Sequence, residues 1–453
     1  MSEKEFDLLV VGAGATGQLV ATQATEAGKT VAMTEGRAYG GTCPLRGCDP
    51  KLVLHAAAEA MYQVERLRGK GFTSAPGFSW PDLIAWKRTF TEPIPQKARE
   101  KMEDHGIEVY SDYASFVDPH TMQFGNTRVR GKHIVLATGM KPAPLDIPGN
   151  EHLYHSDDFL DMDDLPAEMV IIGGGYIGTE SAHVAAALGC KVTMIVTESV
   201  PLEKFDHDLA NLLRKSDEER GMTFYLKSKA TAVRKQGDRF EVDIEGEDRS
   251  TTTVTTDRVL HCAGRVPNTE ELQLDKVGIE VTDKKKIRVD HQLRTTLPHV
   301  YAVGDCSDGG LPLTPVGTYE AAIVSHNLFG GKNERTDYYP IPTVAFCLPG
   351  MASVGMTARE YEEAKAQRSI KVYYKDASDW YHARHLNSPV FAYKLFVDED
   401  KDVLIGAHLL GPGVPELINL FYLAIKDETK VSVLQRLLWA YPTACSTVKS
   451  MLT

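Results

Sequence analysis

A strand, a glycine turn, a helix and a second strand occur twice in this chain, about 160 residues apart, and that duplication limits the fold more than any other feature. The first copy runs from the apolar stretch Phe6–Val11 through Gly12-Ala13-Gly14-Ala15-Thr16-Gly17 into a helix over Gln18–Ala27. Gly28 stops that helix, and Val31-Ala32-Met33 resumes as a strand ending at Glu35. In the second copy Met169–Ile172 is the strand, Gly173-Gly174-Gly175-Tyr176-Ile177-Gly178 the turn, Thr179–Leu188 the helix and Val192–Val196 the next strand. Two such βαβ units predict an α/β protein with two doubly wound domains.

Each turn has a physical reason for its glycines. They allow a tight strand-to-helix bend and let backbone N–H groups approach a pyrophosphate at the positive end of a helix. Glu35 lies 18 residues beyond Gly17, where a carboxylate can accept both hydroxyls of a ribose. The competing explanation is a turn packed with glycine for steric reasons alone, and the acid at this offset argues against it.

Proline and glycine cluster from Lys141 to Gly149, the best candidate boundary. Asp82–His105 reads as helical, broken by Pro93 and Pro95. Short alternating runs between Phe224 and Leu260 predict a small meander. From about Tyr338 the texture changes to mixed strands with a helix near Ala358–Gln367 and a terminal helix over Val431–Leu438, read as a third, α+β domain.

Composition narrows the partners. With 62 acidic and 50 basic residues the net charge is −12, which argues against nucleic acid and against an anionic membrane surface. No apolar run approaches the ~20 residues of a membrane span, and the start carries charges and then a single strand's worth of apolar residues. Seven cysteines in 453 residues make no secreted disulfide scaffold, so the expected location is the reducing cytoplasm.

The most informative segment is Gly40-Gly41-Thr42-Cys43-Pro44-Leu45-Arg46-Gly47-Cys48-Asp49-Pro50-Lys51. Two cysteines separated by four residues can reach disulfide distance if the chain bends into a helical turn, and a thiolate is favoured at a helix N-terminus. An arbitrary pair at this spacing is more often two packed small residues. The flanking glycines and the preceding dinucleotide fingerprint reverse those odds. No further Cys or His is spaced to complete a zinc site, and no metal is expected.

With these motifs in place the chain resembles the flavoprotein pyridine nucleotide-disulfide oxidoreductases, the class of glutathione reductase, dihydrolipoamide dehydrogenase and mercuric reductase. The resemblance covers essentially the whole length. It is carried by Gly40–Lys51 and by Ala137-Thr138-Gly139, Gly264-Arg265-Val266-Pro267-Asn268-Thr269, Tyr301-Ala302-Val303-Gly304-Asp305, Leu313-Thr314-Pro315-Val316 and Ile341-Pro342-Thr343-Val344-Ala345-Phe346.

The resemblance implies an FAD-binding domain in two pieces (1–149 and 286–337), an NAD(P)-binding domain (150–285) and a dimerisation domain (338–453). It places Gly12, Gly14, Ala15, Thr16, Gly17, Glu35, Gly41, Thr42, Lys51, Thr138, Gly139, Gly304, Asp305 and Thr314 at FAD. Gly173, Gly175, Tyr176, Ile177, Gly178, Glu180, Glu198, Gly264 and Arg265 fall at the nicotinamide nucleotide, with Tyr176 as the movable ring over the flavin and Lys51 and Glu180 paired beside it. Electrons would pass from NAD(P)H through FAD to a Cys43–Cys48 disulfide, Cys48 holding the thiolate nearer the flavin and Cys43 attacking a small disulfide substrate. Cys190, Cys262, Cys306 and Cys347 read as buried small residues.

The chain departs from the family pattern at its end. Where the class has a His–Glu pair supplied by the partner subunit of a homodimer, this sequence has Tyr441 and Ser446, and a phenol is a poorer base than imidazole near neutrality. Thr22 and Ala322 occupy positions where glutathione reductases place arginines, so glutathione is not the expected substrate. Tyr441 and Cys445 raise reduction of a thiophilic metal ion as an alternative, and loss of the His–Glu pair raises a non-catalytic redox-sensing flavoprotein as another. Glu198, with no arginine beside it, leans toward NADH over NADPH.

Overall fold

The computed structural model describes residues 4–453. They form two compact units. The first comprises the described residues up to Val53, Ile84–Ala143 and Gly264–Tyr338, and the second Leu54–Leu83, Pro144–Ala263 and Tyr339–Thr453.

In the first unit β1 (Lys4–Val11) lies between β2 (Val31–Thr34) and the strand Thr127–Leu136, all parallel. Glu108–Tyr110 extends the sheet beyond β2, and Val300–Ala302 pairs in parallel with the far half of Thr127–Leu136. The register aligns Val11 with Thr34 and with Leu136, and Leu136 with Ala302. The strand ends are therefore level, and Gly12, Glu35, Ala137-Thr138-Gly139 and Val303-Gly304-Asp305 all emerge at one carboxyl edge, where ligands of open α/β sheets bind.

Both faces of this sheet are covered. Leu8 and Val10 pack against Val20, Ala21 and Ala24 of α1 (Ala15–Glu26), whereas Leu9 and Val11 join Phe116, Phe124 and Ile287 on the other side. That alternation, apolar on both faces, is expected of a buried parallel strand.

The second unit repeats the pattern. Thr223–Tyr225, Lys191–Ile195, Glu168–Ile172 and Arg258–His261 form a four-stranded parallel sheet, with the expected meander beside it as Lys229–Gln236, Arg239–Glu245 and Thr251–Thr256. Its final part is a five-stranded antiparallel sheet in the order Thr343–Ala345, Met351–Gly355, Val403–Leu410, Ala392–Asp398, Ile370–Asp376. The helix Val414–Lys426 buries Leu417, Ile418 and Phe421 against that sheet.

An ion cluster, buried at Lys394 and Asp206 and open to solvent at Asp208, ties this sheet to the nucleotide-fold portion of the same unit. Lys394 Nζ lies 2.7 Å from Asp206 Oδ2 and 2.6 Å from Asp208 Oδ2. Asp206 also caps the helix His207–Glu219, accepting from the amides of Asp208 and Leu209. Losing Lys394 would strand the buried Asp206 charge, which is the costly way to break such a cluster.

The break at Pro93 is present, giving helices Trp80–Thr91 and Ile94–Asp104. The terminal helix, by contrast, stops at Leu434 instead of Leu438. Val431 and Leu434 are buried but Leu437 and Leu438 face solvent, so no apolar stripe holds a second turn. No helix among the described residues is long and apolar enough to cross a membrane.

Candidate active site: a polarised dithiol beside a glycine cradle

The cysteine segment is built from two helices. α2 (Thr42–Arg46) begins after Gly41, whose φ of 76° is a left-handed value that suits glycine. A Cβ on Gly41 would lie 2.5 Å from Gly14 Cα, so the absence of side chains lets the redox loop lie directly on the first turn of α1. Gly47 ends α2; a Cβ there would meet Thr42 O at 2.9 Å. Cys48 then opens α3 (Cys48–Arg66), 19 residues long, so its sulfur sits at the positive end of a helix.

Both cysteines are free thiols in this structure, Cys43 half-buried and Cys48 exposed. They hydrogen bond to one another, and their surroundings pull them apart chemically. Cys48 is lowered to about 6, chiefly by the hydrogen bond from Cys43 and further by Thr314 and the Lys51 ammonium, against the opposing effect of burial. Thr314 Oγ1 stands 3.7 Å from Cys48 Sγ, at the start of the helix Thr314–Phe329. Cys43 is pushed up by the same hydrogen bond and by burial, and the charge of Asp49 adds to the effect. One proton is therefore held on Cys43 and one negative charge on Cys48.

This division has a direct consequence for pH. Because the Cys48 value is depressed, its thiolate is present above about pH 6 and disappears as pH falls through that value. In reduced protein, iodoacetamide alkylation of Cys48 is expected to follow a midpoint near 6, with Cys43 reacting only at far more alkaline pH. Peptide mass spectrometry of samples quenched across the pH range checks this.

The rest of the first unit's site surrounds the start of α1. Gly12 has φ 105°, and a Cβ there would lie 2.3 Å from Ala137 O; a Cβ on Gly17 would lie 2.0 Å from Gly12 O. Those two glycines are required by the protein itself. Gly14 differs, because its nearest neighbour would be Gly41 Cα at 3.8 Å, and no side chain caps the helix it begins. An uncapped first turn bounded by bare glycine is a cradle for an anion, and it fits the pyrophosphate of FAD. Ala15, Thr16 and Gly17 form that turn.

Glu35 accepts from the Ala13 and Arg37 amides, each at 2.9 Å, which fixes its carboxylate beside the cradle and leaves lone pairs for a ribose. Gly304 N donates to Glu320 Oε2 at 2.6 Å, and the Tyr338 hydroxyl donates to Glu320 Oε1 at 2.8 Å. Asp305 is half-buried, and burial raises its carboxyl against the pull of Arg265 and Lys286. Thr138 and Gly139 follow Ala137, whose amide donates to Val11 O. Gly264 and Arg265 also belong to this unit, Arg265 donating to Met140 O.

The second unit carries the second cradle. Gly173 (φ 112°) would collide with Cys262 O at 2.5 Å and Gly178 with Gly173 O at 2.0 Å if either bore a Cβ. At Gly175, the uncapped start of the helix Tyr176–Ala187, a Cβ would meet nothing within 4 Å. The cradle thus fits the pyrophosphate of a nicotinamide nucleotide. Ile177 lies in its first turn, and Glu198 is exposed beyond the strand Lys191–Ile195.

Tyr176 and Glu180, four residues apart, share a helix face and both hold the segment 343–348. The Tyr176 hydroxyl lies 2.7 Å from Thr343 Oγ1, and the Phe346 amide donates to Glu180 Oε1 at 2.8 Å. One turn on, fully buried His183 accepts the Leu348 amide on Nδ1, which fixes its hydrogen on Nε2, 3.2 Å from Asp217 Oδ2. Arg220 Nη1 donates to Leu348 O at 2.8 Å. No sequence motif pointed to His183, Asp217 or Arg220; the sole hint was a histidine followed by the apolar end of its helix.

Among the remaining cysteines, Cys190, Cys306 and Cys347 are buried as expected, while Cys262 is half-buried with its thiol pushed to about 12 by its surroundings. Tyr441 is 80% exposed, and Cys445 packs half-buried against the core of the final sheet. No group of three or more His, Cys, Asp or Glu side chains among the described residues is arranged to hold a metal ion.

Two nucleotide cradles and a dithiol with one depressed thiol define a flavin-dependent reductase of disulfides. Comparison with known proteins identifies the family: residues 6–321 match the pyridine nucleotide-disulphide oxidoreductase model, and residues 341–452 match that family's dimerisation domain. This chain belongs to that family. Glutathione reductase of Burkholderia cepacia is 31% identical over 444 residues, covering 98% of this chain and 97% of the relative. Trypanothione reductase of Trypanosoma congolense is 30% identical over 481 residues, 99% and 96% of the two chains. The HOCl-induced flavoprotein disulfide reductase RclA from Escherichia coli superposes with a TM-score of 0.88 at 26% identity, covering 98% of this chain and 99% of that one. The protein is an FAD- and NAD(P)H-dependent oxidoreductase of the disulfide reductase type.

Proposed function

We propose that this enzyme uses Cys43 and Cys48 as its redox couple and reduces a small disulfide other than glutathione, with NADH as the preferred donor. The observation that carries the reading is the polarised dithiol: a half-buried thiol, Cys43, beside an exposed sulfur, Cys48, lowered to about 6. FAD, when bound, accepts two electrons from the nicotinamide and passes them to the disulfide. Lys51 stabilises the Cys48 thiolate, and Thr314 hydrogen bonds to it. Cys43 is the attacking thiol, with its proton held on it until substrate arrives.

The proposed division is an FAD domain of 1–149 and 286–337, a nucleotide domain of 150–285 and an interface domain of 338–453. Pairing of Val300–Ala302 with the sheet that carries Gly12 and Glu35 supports assigning the return segment to FAD. The dimerisation-domain match over 341–452 supports a homodimer. The Glu198 carboxylate can accept ribose hydroxyls and would repel a 2′-phosphate, which supports NADH. Reduction of a thiophilic metal ion is the weaker reading, since Cys445 is accounted for by packing.

Anaerobic titration of the flavin-loaded protein tests the reading. Uptake of four electrons per FAD, with a long-wavelength thiolate band at the midpoint and full development by NADH at lower concentration than NADPH, is expected. Uptake of only two electrons without that band would show that the cysteines are not coupled to the flavin.

A further inference from the structure

Asp49 stands next to Cys48 in the first turn of α3, exposed to solvent. An acid at that position has an ordinary explanation, since it complements the helix dipole, and that role requires no contact with sulfur. Here the contact exists: the Cys43 thiol donates toward Asp49 Oδ1 at 3.9 Å. The carboxylate's charge is felt at both sulfurs, disfavouring ionisation of each, whereas the countervailing Lys51 charge acts at Cys48. The attacking thiol is therefore the one in direct contact with a carboxylate.

A disulfide attacked at Cys43 must bring one sulfur onto Sγ, in line with its own S–S bond. The atoms attached to that sulfur then lie a few bonds from the Asp49 carboxylate, inside the ~8–10 Å over which charges at a protein surface still sense one another. At Thr22 and Ala322, the positions where the resemblance sets the arginines of glutathione reductases, the chain carries no cation.

We propose that Asp49 makes the site selective by charge, admitting disulfides that are cationic or uncharged near the scissile bond and turning away anionic ones. This rests on Cys43 being the thiol that attacks substrate. In the step itself Cys43 gives up its proton and bonds to one substrate sulfur as the S–S bond breaks, and the departing thiolate takes up a proton. Cys48 thiolate then attacks Cys43 Sγ, re-forms the Cys43–Cys48 bond and expels the second substrate half as a thiolate, which takes up a proton from solvent. Two electrons leave the enzyme dithiol and one disulfide becomes two thiols.

The test uses the NADH-reduced flavoenzyme and three probes of similar size: cystamine, bis(2-hydroxyethyl) disulfide and 3,3′-dithiodipropionate. Their ranking alone is not diagnostic, because an ammonium group also makes a better leaving thiol. The diagnostic quantity is the change on D49N. The ratio of the cystamine rate to the dithiodipropionate rate is expected to fall at least tenfold in D49N, with the uncharged disulfide shifted least. D49E should restore the wild-type ratio, and added salt should shrink it in wild type but not in D49N.

Equal changes for all three probes would mean a structural role at the helix start and would overturn the proposal. A C43S variant that keeps wild-type rates would instead overturn the assignment of Cys43, and the proposal with it. Wild-type rates with C43S silent and D49N unchanged would leave Cys43 standing and refute charge selection alone.

Discussion

Replacing Cys43 by serine is expected to lower NAD(P)H-dependent disulfide reduction at least ~10³-fold while leaving reduction of an artificial dye within about twofold, because removal of an attacking nucleophile abolishes the covalent step and little else. The serine hydroxyl can still hydrogen bond to Cys48, but it cannot form the mixed disulfide. The two sulfurs divide the labour unequally, so the Cys48→Ser variant should fail differently. It keeps the attacking thiol and loses the thiolate that resolves the intermediate. Incubated with a small disulfide after reduction, it should retain one substrate half per subunit, visible as a mass increase that dithiothreitol removes. Cys43→Ser should show no such adduct at position 43. Stopped assays with both variants decide the matter; equal disulfide turnover in wild type and Cys43→Ser would refute the assignment.

The parts of the fold legible in the sequence are those whose signals are local. Gly12–Gly17 and Gly173–Gly178 sit between an apolar run and a helix, and the last glycine of each turn is demanded by the backbone of the first, Gly17 by Gly12 O and Gly178 by Gly173 O, so the turn is legible locally even though Gly12 and Gly173 also pack on distant Ala137 and Cys262. The final sheet could not be read this way. Ala392–Asp398 is buried at all seven positions, leaving no in–out alternation to recognise, and its neighbours Val403–Leu410 and Ile370–Asp376 are chosen by long-range register. α3 accommodates Pro50 because it is the third residue of the helix, where first-turn amides have no intrahelical acceptor.

The site divides along the same line. Cys43, Cys48, Glu35 and the two glycine turns carry motif spacing. Thr314 was assigned to FAD, and its contact with Cys48 appears only once Thr314–Phe329 is brought to the dithiol across more than 260 residues. Glu320 gave even less warning: a carboxyl on an apolar helix, buried because the Gly304 amide and the Tyr338 hydroxyl both need an acceptor. Asp49 was in view within the motif, but its meaning depends on which way the first turn of α3 points its side chain, and spacing does not determine that.

The glycines also permit a test that separates folding from ligand binding. Gly175→Ala is expected to fold and to weaken nicotinamide nucleotide binding by ~10–100-fold, whereas Gly178→Ala is expected to compromise folding. At Gly175 φ is −77°, which alanine adopts freely, and a Cβ would meet no protein atom within 4 Å. The protein alone gives no strong reason for glycine there beyond a helix-start preference of ~1 kcal/mol or less. A methyl group would stand in the path of the pyrophosphate and forfeit one or two hydrogen bonds to it, ~1.5–3 kcal/mol for bonds to a charged group, which sets the expected loss of affinity. At Gly178 the Cβ would fall 2.0 Å from Gly173 O, a backbone atom that cannot swing aside, so the helix must move off its strand. Such overpacking costs ~1–3 kcal/mol or more and should appear as a lower melting temperature or loss of soluble protein. Thermal melts paired with NADH titrations read both effects. Tight NADH binding by a folded Gly175→Ala protein would mean that the nucleotide does not lie across this turn.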